Sequence, residues 1–322
     1  MRKISFLVLV MAAILVASFS FTRRSEQEIP QTPAALGKML FFDPILSRHR
    51  SISCSSCHRE KYAFADTSAT SIGELNKKGS RNAPSVMNVS GSGSFFWDGR
   101  ASSLEEQALI PIANPAEMDL PVDSAVRRLN DDVQYLRYFM AIFKEKPNAK
   151  NLGTAIAIFE KTLNTYNTPF EDWQVNDNDS AVSASAKRGF QLFNGKARCA
   201  GCHFGGDFNN GGTDYRNIGL FDGKQLQDSG RAVITRSPDD VGRFKIPNLR
   251  NVAITAPYMH NGIFRHLREV IEYYNDPDKI VPHPINRDPL LSSPLHLSEI
   301  EKEDLENFLR ALTDKRFVTT PE

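Results

Sequence analysis

Two pentapeptides carry the most specific chemistry in this chain: Cys54-Ser55-Ser56-Cys57-His58 and Cys199-Ala200-Gly201-Cys202-His203. Two thiols three positions apart can each form a thioether to one vinyl group of a porphyrin. The His that follows then sits under the iron as its proximal ligand. The same cysteines could serve zinc or a redox pair. A shared zinc site, however, gives no reason for a His at the same offset in both copies. The two motifs also use all four cysteines of the chain, leaving none for a disulfide. The pattern predicts two covalently attached haem c groups, with His58 and His203 as iron ligands.

Each motif follows a similar run of residues. Leu36-Gly37-Lys38-Met39-Leu40-Phe41 precedes the first, and Arg188-Gly189-Phe190-Gln191-Leu192-Phe193 precedes the second. Both read as a short amphipathic helix in which Gly is followed three residues later by Leu-Phe, and both lead through a loop to Cys-x-x-Cys-His. Such an internal repeat predicts two copies of one unit, and cytochrome c domains begin this way. Ser102 and Ser103 precede Glu105 and Glu106 at capping-box spacing, as Ser298 precedes Glu301. Leu152, Ile156, Phe159 and Leu163 share one helix face, as do Leu305, Phe308, Leu309 and Leu312. Strand alternation is scarce. The expected fold is all-α, two cytochrome c-like domains with long loops, such as residues 205–246, packed around large apolar haems.

The chain has 322 residues, room for two domains with proper cores. Its 39 Lys+Arg nearly balance 38 Asp+Glu, which argues against a nucleic-acid partner. Met1-Arg2-Lys3, an apolar run from Ile4 to Phe21 and Thr22-Arg23-Arg24 form a basic-then-apolar export segment. Neither an A-x-A cleavage site nor a lipobox cysteine follows, and a run of roughly 18 residues also suffices to span a bilayer. Residues 1–24 therefore read as a signal peptide or an N-terminal anchor, and the body of the protein as exported. The polar run Asn176-Asp177-Asn178-Asp179-Ser180 lacks the remaining ligands of an EF-hand. It reads as a solvated linker between an N-terminal domain, 30–175, and a C-terminal domain, 181–322.

Several further segments resemble the bacterial di-haem cytochrome c peroxidases and their relative MauG, the methylamine utilisation protein. They are Arg81-Asn82-Ala83-Pro84-Ser85-Val86, Phe96-Trp97-Asp98-Gly99-Arg100, Gln107 to Pro111, Asn114-Pro115-Ala116-Glu117-Met118, Pro247-Asn248-Leu249-Arg250-Asn251-Val252, and Thr255-Ala256-Pro257-Tyr258-Met259-His260-Asn261-Gly262. Each alone is weak; in this order around two haem motifs they are specific, and the likeness covers residues 33–315 or so. The resemblance implies a periplasmic enzyme in which hydrogen peroxide reacts at the N-terminal haem. The C-terminal haem would take electrons from a small c-type cytochrome or cupredoxin. It implies that Trp97 lies between the haems, that Gln107 and Glu117 line the peroxide pocket, and that Pro111 shapes it. It also implies a calcium ion held by Asn82 and the carbonyls of Thr255 and Pro257, and a homodimer as a common assembly. On the residues alone Glu117 reads as a helix-end or surface carboxylate, Trp97 as a core aromatic and His260 as a propionate-side group. A carboxylate is nonetheless a plausible acid/base for moving a proton between peroxide oxygens.

Two departures matter. The peroxidases place a His before Arg-Asn-Ala-Pro that binds the N-terminal haem at rest; by register Glu74 stands there, and no His occurs between His58 and His203. The peroxidases also place a Met fourteen residues after the His of Tyr-x-His-x-Gly, where this chain has Tyr274, as MauG has Tyr. Leu267, Val270, Ile271 and Tyr274 form one apolar helix face, from which Tyr273 is rotated by about 100°. Tyr274 is thus the expected second ligand of the C-terminal iron, or else a ring packed on the haem edge. Three readings follow: a peroxidase reducing hydrogen peroxide to water, a MauG-like enzyme oxidising residues of a partner protein, and an electron carrier without catalysis.

Overall fold

Pro33 opens the first described helix, α1 (Pro33–Phe42), behind Thr32, whose hydroxyl accepts the Ala35 amide. Proline tolerates the first turn because its missing N–H would have no partner there. The computed structural model describes residues 29–318; the expected export segment lies outside them. Helices α2 (Leu104–Ala113), α3 (Val122–Asp131), α4 (Val133–Phe143), α5 (Ala149–Glu160) and α6 (Pro169–Gln174) follow, then α7 (Ala184–Asn194), α8 (Leu267–Asn275) and α9 (Glu299–Ala311). The described sheet is two residues wide on each side, β1 (Tyr215–Arg216) against antiparallel β2 (Phe244–Lys245). No described helix is long and apolar enough to cross a membrane.

The expected caps form. Ser103 accepts the Glu106 amide while the Glu106 carboxylate returns to the Ser102 amide. Ser298 and Glu301 close a reciprocal box at the start of α9. Leu152, Ile156, Phe159 and Leu163 are buried, as are Leu305, Phe308, Leu309 and Leu312. Each such side chain stabilises the fold by about 1.5–3 kcal/mol.

The repeat is built on one close crossing used twice. Helix α1 crosses α5 at Gly37, where a Cβ would stand 1.8 Å from the Ala155 carbonyl oxygen and 2.9 Å from Phe159 Cβ. Helix α7 crosses α9 at Gly189, where a Cβ would meet the Asp304 oxygen at 1.9 Å and Phe308 Cβ at 2.8 Å. Only glycine permits backbones this close. One helical turn on, Phe41 meets Phe159 edge-on at 5.2 Å, and Phe193 meets Phe308 at 5.0 Å. Two main apolar clusters result, one around Leu36, Phe41 and Phe159, the other around Phe193, Tyr273 and Phe308. Residues 176–180 between α6 and α7 are exposed, apart from an Asp179–Lys187 ion pair.

Candidate haem sites and active site

Each Cys-x-x-Cys-His motif borders a cavity. Cys54 and Cys57 lie on a single helical turn and His58 ends it; His58 Nδ1 faces the Phe64 carbonyl at 3.1 Å. His203 Nδ1 faces the Phe208 carbonyl at 2.8 Å. A backbone acceptor on Nδ1 fixes the tautomer and leaves Nε2 as the ligating nitrogen. Burial holds both imidazoles below the usual His pKa, so they are neutral, as iron ligation needs. Burial also pushes the Cys54 and Cys199 thiols up to about 12. That is opposite to the depression expected of a redox Cys-x-x-Cys pair. Among the described residues no three His, Cys, Asp or Glu side chains gather as a metal site, so the zinc alternative has no support. Paired thiols and a neutral His at a large pocket fit covalently attached haem.

The first cavity, about 790 Å³, has a narrower annex of about 70 Å³. His58, Gln107, Pro111 and Glu117 line both. Gln107 and Pro111 stand one turn apart on α2; the proline ring removes the helix bond that the Gln107 carbonyl would otherwise accept. Glu117 sits in the loop after α2. Asn114 Nδ2 donates to its Oε1 at 2.6 Å, and burial raises its pKa despite that bond. The loop is pinned from outside. The Glu74 amide donates to the Glu117 carbonyl at 2.8 Å, and a Cβ on Gly73 would stand 2.6 Å from Glu117 Cα.

Glu74 itself faces elsewhere. Its carboxylate accepts the His49 amide and Nδ1, each at 3.0 Å, and the Ser51 hydroxyl at 2.8 Å. Although burial alone would raise it, these bonds hold the carboxyl down at about 2. Glu74 does not line the haem cavity. Glu74, which by register takes the place of the iron-binding His that the resemblance leads one to expect, is committed instead to the segment of His49 and Ser51.

The second cavity, about 170 Å³, is lined by Cys199, Cys202, His203, Met259, Val270 and Tyr274 among others. The Tyr274 hydroxyl has no hydrogen-bond partner among the described residues, and burial raises its pKa. Tyr273 is fully buried whereas Tyr274 is partly buried, which the single apolar face did not anticipate. Tyr273 turns into the protein beside Phe264 and donates its hydroxyl to the Ile218 carbonyl. Helix α8 is covered on two sides, and the hydroxyl environments separate the tyrosines. His260 is buried, stacked on Phe244 at 3.7 Å, with burial lowering its pKa to about 4.

Trp97 lines both cavities. Its indole N–H donates to the Asn82 carbonyl at 2.8 Å, and the Asn82 amide donates to the His260 carbonyl at 2.7 Å. Asn82, Thr255 and Pro257 line a third cavity, about 140 Å³, which Trp97 also borders. It contains amide and carbonyl oxygens but no carboxylate. Oxygen donors suit calcium, which takes six to eight of them; water would have to supply the rest.

Motif reading missed three groups. Arg81 donates to Asp98 and Asp228, both at 2.6 Å, tying sequence-distant segments together. Lys245 borders all three cavities, and burial lowers its pKa to about 8. Glu160 lines the first cavity and its annex. Comparing the two repeats would have flagged Glu160, because one copy has a carboxylate where the other has leucine.

Comparison with known proteins follows the same lines. Residues 31–179 match the family described as di-haem cytochrome c peroxidase. The chain is 38% identical over 303 residues to the methylamine utilization protein MauG of Methylorubrum extorquens, covering 91% of this chain and 82% of that protein. It is 39% identical over 242 residues to the cytochrome c551 peroxidase of Nitrosomonas europaea, covering 74% and 71%. Among solved structures, a MauG-like protein associated with microbial copper homeostasis superposes with a TM-score of 0.79 at 32% identity, over 90% of this chain and 91% of that one. Relatives of both kinds thus span most of its length, and the chain belongs to the di-haem cytochrome c peroxidase family.

Proposed function

We propose that this protein is an exported di-haem enzyme that reduces hydrogen peroxide to water in its N-terminal domain, residues 30–175. Electrons arrive from a small c-type cytochrome or cupredoxin through its C-terminal domain, residues 181–322. The observation that carries this reading is Trp97. One indole borders both the cavity of Gln107 and Glu117 and the cavity of His203 and Tyr274.

Haem iron, when bound, supplies the redox centre at which peroxide is reduced. The chain's own residues do the rest. His58 and His203 would hold the two groups through their Nε2 atoms. Glu117, oriented by Asn114, takes a proton from one peroxide oxygen and returns it to the other. The Gln107 amide donates a hydrogen bond to the departing oxygen, and Pro111 shapes the wall around it. Trp97 is held edge-on by Asn82 as a relay. Purified holoprotein should consume peroxide with a reduced small cytochrome as donor. A protein that passes electrons yet leaves peroxide untouched is the electron carrier instead.

Tyr274 favours a second reading, in which a partner protein is the substrate, as in a MauG-like enzyme. Its unbonded hydroxyl lies in the second cavity, where a phenolate can bind iron, at the position where the resemblance to the peroxidases leads one to expect a Met.

Two outcomes test the cofactor assignments. Holoprotein should carry two haems per chain that survive acid-acetone extraction, and replacing both Cys199 and Cys202 with Ala should leave one. Freely extractable haem would defeat covalent attachment. Calcium held by Asn82, Thr255 and Pro257 predicts that chelation lowers wild-type turnover and adds little to the loss in Asn82→Ala. Equal further loss in both proteins would place the ion elsewhere.

A further inference from the structure

Glu160 ends α5 with its carboxyl buried, 4% exposed. Its Oε2 is the one buried side-chain oxygen or nitrogen among the described residues with no hydrogen-bond partner. No basic side chain pairs with it there. A buried polar atom left unpaired costs stability, so packing alone gives no reason for it.

The internal repeat shows what packing alone would select. The crossing at Gly37 aligns Phe159 with Phe308 at the crossing of Gly189. The next residue is Glu160 in one copy and Leu309 in the other, and Leu309 lies in an apolar cluster. The same fold position therefore accepts leucine. The carboxyl occurs in the copy whose cavity also contains Gln107 and Glu117, and Glu160 lines that cavity and its annex beside them.

Stoichiometry supplies a task. Reduction of hydrogen peroxide, H2O2 + 2 e⁻ + 2 H⁺ → 2 H2O, breaks the O–O bond. The first water leaves with the two protons that peroxide brought, which Glu117 need only move from one oxygen to the other. The second oxygen becomes water only with two electrons from the external redox protein and two protons from outside. Glu117 ends the first step as the carboxylate it began as, so it has no proton of its own to deliver to that second oxygen.

We propose that Glu160 is a second catalytic carboxyl of the peroxide pocket, which donates a proton to the oxygen left after O–O cleavage and is recharged from solvent. This rests on the peroxidase reading above. Burial raises the Glu160 pKa to about 8, so it is a neutral acid at pH 7, whereas Glu117 must accept a proton first. The titratable groups that line the same annex are Cys54 and Cys57, both consumed in thioether formation, His58, committed to iron, and Glu117 itself.

The test uses haem-loaded wild type, Glu160→Leu and Glu160→Gln. In both variants consumption of the first equivalent of peroxide should keep its wild-type rate, while steady-state turnover with a reduced cytochrome falls roughly 100-fold, the lower end of acid/base effects. Fluoride binding to the ferric protein reads the same donor without turnover. Its affinity should drop about tenfold or more in Glu160→Leu, the worth of one hydrogen bond to a charged group, and less in Glu160→Gln, whose amide still donates. Wild-type fluoride affinity and turnover in Glu160→Leu would overturn the proposal. So would equal slowing of the first equivalent and the steady state, which would merge Glu160 with the step of Glu117. A wild type that never consumes peroxide fails the wider reading instead, and the fluoride comparison still judges Glu160. If Glu160→Leu loads haem poorly, Glu160→Gln carries the turnover test alone.

Discussion

Replacing Glu117 with Gln should lower peroxidase turnover by roughly two to four orders of magnitude, the span of general acid/base effects. The substitution keeps size and shape. Its amide can still take part in a hydrogen bond with Asn114, which now reaches Oε1 at 2.6 Å, so the loop from Asn114 to Asp119 should hold. What disappears is a site that can accept a proton and give it back. Burial raises the Glu117 pKa, making the carboxylate a stronger base and bringing it nearer to working pH. The sign of the pH effect follows. Wild-type activity should fall on acidification as Glu117 becomes protonated before peroxide arrives, and that acid limb should flatten in Glu117→Gln. Haem content and melting temperature of the variant serve as controls. Unchanged turnover would remove Glu117 from the mechanism.

The second large effect is expected at Tyr274. Tyrosinate stabilises ferric iron, whereas a thioether raises the haem potential. Axial ligands set haem potentials over roughly 0.8 V. If Tyr274 binds the second iron, Tyr274→Met should raise that potential by on the order of 100 mV or more and move the enzyme towards conventional peroxidase behaviour. Tyr273→Phe is the matched control. Tyr273 is the deeper ring, but its hydroxyl is spent on the Ile218 carbonyl, so it should leave the potential in place while costing some stability. Spectroelectrochemical titration of both variants decides the matter. A potential indifferent to Tyr274→Met makes the ring a packing group. The first iron provides a separate check. With its carboxylate bound by His49 and Ser51, Glu74 is not available to that iron, which should be high-spin in the resting ferric protein, so that peroxide reacts without prior reduction. A low-spin resting signal from the N-terminal haem would contradict this.

The haem chemistry was legible because it is local. Cys-x-x-Cys-His holds two thiols and an imidazole within five residues, and no folding is needed to see that they belong together. Helix caps and apolar faces are local too: Ser103 with Glu106, Ser298 with Glu301, and Leu152 with Ile156 were readable from spacing. The glycines at 37 and 189 were visible as a repeat, but their reason was not. Each is needed because a second helix, more than a hundred residues away, passes within a backbone's width. Partners at such separation leave no mark in a sequence window. The same limit hid Glu160, which follows three apolar residues of its helix face and looks like a solvent-facing end until α1 and α2 close over it. Register put Glu74 where a haem ligand belongs, and only the folded loop shows that His49 and Ser51 claim its carboxylate. Two adjacent tyrosines could be ranked by helical phase, yet the one off the apolar face, Tyr273, is the deeper. It took the Ile218 carbonyl, brought over by a distant loop, to separate a satisfied hydroxyl from one left in the cavity. Spacing along the chain determined which groups can do chemistry, because bond lengths fix their reach. Tertiary structure decided which are free to do it, because a carboxylate or phenol already hydrogen-bonded and buried elsewhere is spent.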